Sequence, residues 1–327
     1  MAEKIKKLVI IDSNSIIHRA YHALPPLTTK KGELVNALYG FLLVFLRIIR
    51  DLQPDYLAAA FDFPGPTLRH QKYKEYKAKR PPAPAELYQQ IPKVKEILTA
   101  WGVPIFEQAG FEADDIIGTI AQLARQKQIW PALEIIIVSG DLDSLQLVGP
   151  QTKVYVLKKG VKDIVLYDED LVKEKFQGLK PSQILDFKAL RGDPSDNIPG
   201  VTGIGEKTAI KLLKEFGSLE NLYYELAENS ERIKKIKPRL KELLTKYQEQ
   251  AFLSRELAQI HKIVPFDFNL QQCQWGNYQK EKIQELLEEW GFKSLINRLS
   301  GIFESTKTEV AQKKKGKTTI SQNLQLW

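Results

Sequence analysis

Cysteine is all but missing from this chain, and the lone Cys273 cannot close an intrachain disulfide. The N-terminal MAEKIKKLVIID meets an acidic residue after four apolar ones, too soon for the apolar core of a secretion signal. Both absences point to a reducing, cytoplasmic setting. The longest apolar stretch, Ala37 to Ile49, is broken by Arg47 and falls short of the ~18 residues a membrane helix needs, so it predicts a buried helix. The histidines His18, His22, His70 and His261 show no zinc-like spacing with one another or with Cys273, and are taken as incidental. There is no Gly-x-Ser-x-Gly elbow, which removes support for a Ser-His-Asp hydrolase. No internal repeat is visible.

Positive charge is plentiful. A net charge of +8 predicts a polyanionic partner, either nucleic acid or an acidic membrane surface. The charge concentrates in Arg69–Arg80, Lys234–Lys246 and Lys313–Lys317, while several acids sit beside apolar runs. At 327 residues and 43% hydrophobic content the chain can bury two cores.

The first half alternates short apolar runs with helix-length segments: Leu8–Ile11, Tyr56–Phe61 and Glu134–Val138 predict strands of a parallel α/β sheet. Val154–Leu157 and Ile164–Tyr167 flank Lys158-Lys159-Gly160 as a hairpin would. Beyond about Leu171 the pattern turns helical, over Pro181–Arg191, Glu206–Phe216, Leu219–Glu228, Lys237–Gln250 and Lys280–Trp290. Residues 304–321 have almost no apolar content and predict a solvated linker.

Each main strand ends in acid: Asp12, Asp62, then Asp141 and Asp143. Carboxyl ends of parallel strands share one edge of the sheet, where ligands bind. Glu112, Asp114 and Asp115 open a further helix. Singly, such acids are ordinary caps, favoured by the free N–H groups of a first turn. Together they would repel unless cations neutralise them, and oxygen-rich sites suit Mg²⁺ or Mn²⁺. Asp193 and Asp196 lie in a turn-rich loop that says little by itself.

Gly200–Gly205 fails as a nucleotide loop, because Glu206 splits the Gly-Lys pair and no strand precedes it. It fits either a plain turn between helices or a helix-hairpin-helix, whose Gly203, Gly205, Lys207 and Thr208 would grip a DNA phosphate. In FPGPTLRHQKYKEYKAKR, Arg69, Tyr73, Lys77 and Arg80 would share one face of a helix. That face, with Lys72 and Tyr76, could track phosphates and stack on unpaired bases, or be merely solvated.

These residues closely resemble the 5′ nuclease family that includes the N-terminal domain of bacterial DNA polymerase I, phage 5′ nucleases and flap endonucleases. The likeness runs from Lys7 to Leu299 through IIDSNSIIHRAYHA, AAAFD, LRHQKYKEYKAKRP, GFEADDIIGTIA, SGDLDSLQL, RGDPSDNIPGVTGIGEKTA and WGFKSLINRL. It implies an α/β, parallel-sheet nuclease core of the PIN-like, Rossmann-like kind over residues 1–175, with a helical arch at 63–92. It implies a helical DNA-binding region over 176–300 with a helix-hairpin-helix at 190–216, and leaves a basic tail at 301–327. A two-ion Mg²⁺ site follows from the resemblance: Asp12, Asp62, Glu112, Asp114 and Asp115 on one side, Asp141, Asp143, Asp193 and Asp196 on the other. Lys77 and Arg19 match basic residues that approach the scissile phosphate. Arg69, Lys72, Tyr73, Tyr76 and Arg80 fall in the arch, and a K⁺ ion would sit on the Gly200–Gly205 hairpin. The expected activity is 5′–3′ exonuclease and flap endonuclease cleavage of DNA by a monomer, in primer removal and repair. The rival expectation is a non-catalytic DNA-binding module on the same fold. The final QNLQLW, with Gln322, Leu324, Leu326 and Trp327, resembles peptides that bind the bacterial sliding clamp. The chain carries no polymerase region after the linker, so a free-standing nuclease is one expectation and a shortened one the other.

Overall fold

The computed structural model describes residues 5–126, 133–158, 163–299 and Phe303. The expected linker and the clamp-like peptide at Gln322–Trp327 lie outside the described residues, as does the turn at 159–162.

The chain runs β1 (Lys6–Asp12), α1 (Ser13–Ala23), α2 (Asn36–Leu52), β2 (Tyr56–Ala60), α3 (Leu68–Lys72), α4 (Ala85–Tyr88), α5 (Ile91–Ala100) and β3 (Ile105–Phe106). It continues through α6 (Ala113–Gln126), β4 (Leu133–Ser139), β5 (Thr152–Leu157), β6 (Ile164–Tyr167) and α7 (Glu169–Lys175). The remainder is helical: α8 (Ile184–Arg191), α9 (Glu206–Phe216), α10 (Leu219–Ala227), α11 (Glu231–Lys234), α12 (Pro238–Lys246), α13 (Gln248–Ala258) and α14 (Lys280–Glu289).

The six strands form one sheet in the order β3-β2-β1-β4-β5-β6, parallel except for the β5–β6 hairpin. Strand order reverses between β1 and β4, which creates the switch point at which ligands bind in open α/β sheets. Alternate residues of β1 explain its unbroken apolar run: Val9 and Ile11 enter the core beneath α2 and α5, while Leu8 and Ile10 enter the core beneath α6. A strand covered on both faces has no polar side. The stretch from Ala37 to Ile49 is the buried α2, as expected, and no described helix is long and apolar enough to cross a membrane.

Two expectations change. The helix expected over Lys237–Gln250 is split at Tyr247 (φ −108°, ψ 22°), and its second part runs on to Ala258 as α13. The arch is not a continuous helix: α3 stops at Lys72, residues 74–79 form turns, and Lys77 takes the left-handed φ of +55°. Arg69, Tyr73, Lys77 and Arg80 therefore do not share a helical face.

Candidate active site

At the switch point the carboxyl end of β1 supplies Asp12, which is 4% exposed and does two jobs. One oxygen caps α1 by accepting from the Ser15 N–H at 3.2 Å, and the other accepts from Ser139 Oγ at 2.6 Å. Ser139 ends β4, so its bond to Asp12 ties the two strand ends together, and its Oγ also accepts from the Asp141 N–H at 2.9 Å. Beyond β2, Asp62 accepts from the Ala113 N–H at 2.7 Å, fixing the start of α6 against that strand.

The result is a cleft of about 600 Å³ lined by Asp12, Asp62, Glu112, Asp114, Asp141 and Asp196, and also by Arg19, Lys77, Arg80, His18 and His22. Six of the nine acids singled out in the sequence thus meet in one place. Asp143 and Asp193 stand beside it, joined through Lys188, whose Nζ contacts Asp143 and lies 2.6 Å from Asp193 Oδ2.

Asp115 goes elsewhere. It is fully buried and makes a two-pronged pair with Arg69, at 2.7 Å on each prong. It also accepts from the backbone N–H of Glu112 at 3.1 Å and of His261 at 2.8 Å. Of the two roles open to adjacent acids in a first helical turn, Asp115 takes the structural one and Asp114 faces the cleft. Arg69 is equally committed, its Nε donating to Leu257 O at 3.0 Å and its Nη2 to Gln259 O at 2.6 Å. Tyr76 is 3% exposed, and its hydroxyl touches Glu112 and Asp196. Neither Arg69 nor Tyr76 presents a surface to DNA in this arrangement, whereas Lys72 is exposed and Tyr73 half-buried.

Electrostatics mark the cleft as short of positive charge. Burial pushes the Asp12 carboxyl up to about 6, the neighbouring Asp62 adding to the rise against hydrogen bonds from Ser139 and Ser15. Burial pushes Asp143 up to about 7 despite Lys188. Asp114 is raised well above the usual carboxylate range by burial and by the charges of Asp12, Asp141 and Asp143. Asp193 moves the other way: burial would raise it, but Lys188 and Ser195 hold it down at about 2.

The residues fit a divalent cation. Asp114 Oδ1 is buried with no hydrogen-bond partner, an acceptor that only a proton, a water or a cation can satisfy. The surrounding donors are hard oxygens, which suit Mg²⁺ or Mn²⁺. As the side chains stand, no three described Asp, Glu, His or Cys side chains converge on one ion position. Several of these acids pair with cationic side chains instead: Lys77 Nζ is 2.9 Å from Glu112, Arg80 pairs with Asp196, and Lys188 bridges Asp143 and Asp193.

Two cations show where an anion would be drawn. Lys77 keeps its proton although burial opposes this, because Glu112 and Asp196 outweigh the burial. Arg19 folds onto the carbonyls of Gly140 (2.5 Å) and Lys158 (2.7 Å), and its buried Nε has nothing to donate to. Lys188, Ser139 and the cleft-facing His18 and His22 were not singled out in the sequence. Only the spacing of Ser15, His18, Arg19 and His22 on one face of α1 could have flagged the histidines.

The Gly200–Gly205 hairpin leads into α9, with Gly203, Gly205 and Lys207 exposed and Thr208 half-buried. Gly200 donates to Ser254 Oγ at 2.9 Å, and its carbonyl accepts from Gln250 at 2.6 Å, so α13 braces the turn. Helix α9 has no side-chain cap, which leaves first-turn N–H groups free for an acceptor from outside.

Residues 7–177 match the family described as 5′-3′ exonuclease, N-terminal resolvase-like domain, and residues 179–281 match 5′-3′ exonuclease, C-terminal SAM fold. DNA polymerase I of Bacillus caldotenax is 43% identical over 294 residues, covering 90% of this chain and 32% of that protein. For DNA polymerase I of Bacillus subtilis the identity is 41% over the same coverage. The chain thus spans about a third of the length of these polymerases. The fold is that of the bacteriophage T5 D15 flap endonuclease, solved in complex with DNA and metal ions, with a TM-score of 0.64 at 18% identity over 87% of this chain and 99% of that one. Flap endonuclease-1 from Methanococcus jannaschii superposes with a TM-score of 0.59 at 19% identity over 94% of each chain. With its two successive regions matched by the two models across most of its described length, this chain belongs to the 5′-3′ exonuclease family.

Proposed function

We propose that this chain is a Mg²⁺-dependent 5′ nuclease that hydrolyses DNA where a single-stranded 5′ end meets duplex, as exonuclease and flap endonuclease. The observation that carries this reading is the convergence of Asp12, Asp62, Glu112, Asp114, Asp141 and Asp196 on one cleft that also holds Arg19 and Lys77. These acids would hold two divalent ions, with Mn²⁺ able to substitute, and Asp143 and Asp193 would join them as Lys188 gives way. When bound, such ions supply a water nucleophile at neutral pH and stabilise the oxygens of an in-line displacement.

The chain's own residues do the rest. Lys77 and the unpartnered Arg19 Nε oppose charge developing on the scissile phosphate, in a cleft where such contacts are worth more than in water. Lys72, Tyr73 and Arg80 line the way for the 5′ strand. Gly203, Gly205, Lys207 and Thr208 hold the backbone of the uncut duplex, where the Gly200–Gly205 hairpin would also hold a K⁺ ion. Every one of these contacts addresses phosphate or strand end, so selection is by shape rather than base sequence. Asp115 and Arg69 leave the metal and DNA sets and become anchors of the cleft wall. Residues 1–175 form the catalytic unit and 176–300 the duplex-holding unit of a monomer working in the cytoplasm. Gln322–Trp327 binds a sliding clamp, and deleting those six residues should abolish clamp affinity.

A non-catalytic binding module is disfavoured, because six acids facing a phosphate chain would only weaken binding. Asp141→Asn should abolish Mg²⁺-dependent cleavage of a labelled 5′ flap while DNA binding survives. Undiminished cleavage by that variant would remove Asp141 from the site.

A further inference from the structure

The Tyr76 hydroxyl lies 3.1 Å from Glu112 Oε2 and 3.1 Å from Asp196 Oδ2. These carboxylates come from opposite parts of the chain: Glu112 precedes α6 in the sheet region, and Asp196 lies in the loop after α8. The ring packs with Ile198, Leu257 and Ala258, and His70 meets it edge-on at 5.3 Å. Enclosed in this way, it cannot lie against a base unless Tyr73–Arg80 first unpacks.

The backbone holds the hydroxyl in place. Lys77 N donates to Asp196 O at 2.9 Å, Asn197 Nδ2 donates to Glu75 O at 2.7 Å, and the left-handed turn at Lys77 (φ +55°) lets both bonds form at once. A phenol has one proton, so it donates to only one of two carboxylates at a time. The other is tolerated at that distance because Lys77 Nζ lies 2.9 Å from Glu112 Oε2 and 3.9 Å from Asp196 Oδ2.

We propose that Tyr76 is a positioning residue whose hydroxyl, through Glu112 and Asp196, sets the spacing between the two halves of the carboxylate set and thereby their affinity for divalent ions. The ring serves to dock this hydroxyl and is not a stacking platform. This rests on the metal-site reading above. Removing the hydroxyl keeps the packing but leaves one of the two buried carboxylate oxygens without this donor, with Lys77, Arg80 and Arg69 left to offset the repulsion.

The test is Tyr76→Phe against wild type, with Mn²⁺ titrated calorimetrically into metal-free protein and 5′-flap DNA binding measured in EDTA. Mn²⁺ affinity should fall about tenfold, as when a ligand's supporting partner is removed. DNA affinity should be unchanged, and the kcat lost at low Mn²⁺ should return at high Mn²⁺. Unchanged Mn²⁺ affinity overturns the proposal, and so does a loss of DNA affinity in EDTA without a change in Mn²⁺ binding, which is the signature of a stacking ring. Wild type that binds no Mn²⁺ overturns the metal site itself, a failure distinct from that of Tyr76. Should the variant not fold, NMR of site-specifically labelled Tyr76 in wild type still decides. Its ring signal should move with Mg²⁺ at the midpoint seen by calorimetry, and a signal that stays fixed refutes the bridge.

Discussion

Arg69 and Asp115 bind each other through two parallel hydrogen bonds of 2.7 Å in a site where Asp115 has no exposure and Arg69 only 6%. Other Arg69 donors go to the carbonyls of Leu257 and Gln259, and Nη1 also lies 3.5 Å from Glu112 Oε2, so one guanidinium joins α3, α6 and the end of α13. Removing one member of a buried pair leaves the other charge unpaired, at a cost of about 3–5 kcal/mol. Arg69→Ala should therefore lower unfolding stability by about that much in urea. Asp115→Asn should lose stability yet keep the wild-type number of bound divalent ions. A lost ion, counted by calorimetry, would return Asp115 to the metal set.

The carboxylates of Asp12 and Asp143, raised to about 6 and about 7, make the metal-free protein sensitive to pH in a definite direction. A raised acid favours the folded state in full below its ordinary value near 3.8, and this contribution is lost as pH climbs through the folded value. Asp193, held at about 2, acts oppositely but only at much lower pH. In EDTA the melting temperature should fall as pH rises through 6 and 7. Added Mg²⁺ should restore it at the alkaline end and do little at about pH 5, where it must displace protons. A melting temperature flat across that range in EDTA would contradict the charge-crowded cleft.

Gly200 has φ +63°, and a Cβ placed there would stand 2.2 Å from Gly192 N. The neighbour is backbone and cannot swing aside, and Gly192 immediately precedes Asp193. Gly200→Ala should cost at least about 1–3 kcal/mol and weaken both nicked-duplex binding and cleavage. Gly205→Ala meets nothing within 4 Å and serves as the control, expected to melt like wild type. Equal melting temperatures for the two variants would show that the close approach carries no weight.

Much of the catalytic half could be read in the sequence because its signals are local. LVIID, YLAAAFD and EIIIVSGDLD each combine a continuous apolar run with a terminal acid, and a parallel sheet turns those into neighbours without further information. The segment after Asp62 misled because periodicity was applied where no helix continues. The extended Tyr73 (φ −141°, ψ 102°) and the left-handed Lys77 break the phase, and nothing in KYKEYKAKR announces them. Lys188 escaped notice because one of its partners, Asp143, reaches it only when the helical region docks on the sheet. The choice between Asp114 and Asp115 turned on the distant Arg69 and His261, which no local rule brings to them.

The strand order carries a kinetic consequence. Strand β1 comes well before β4 in the chain, yet it lies mid-sheet between β2 and β4. Until β4 has been made, one hydrogen-bonding edge of β1 stays unpaired. Such long-range parallel pairing is slow and exposes sticky edges. Asp12 therefore gains its bond from Ser139 only once β4 has paired with β1.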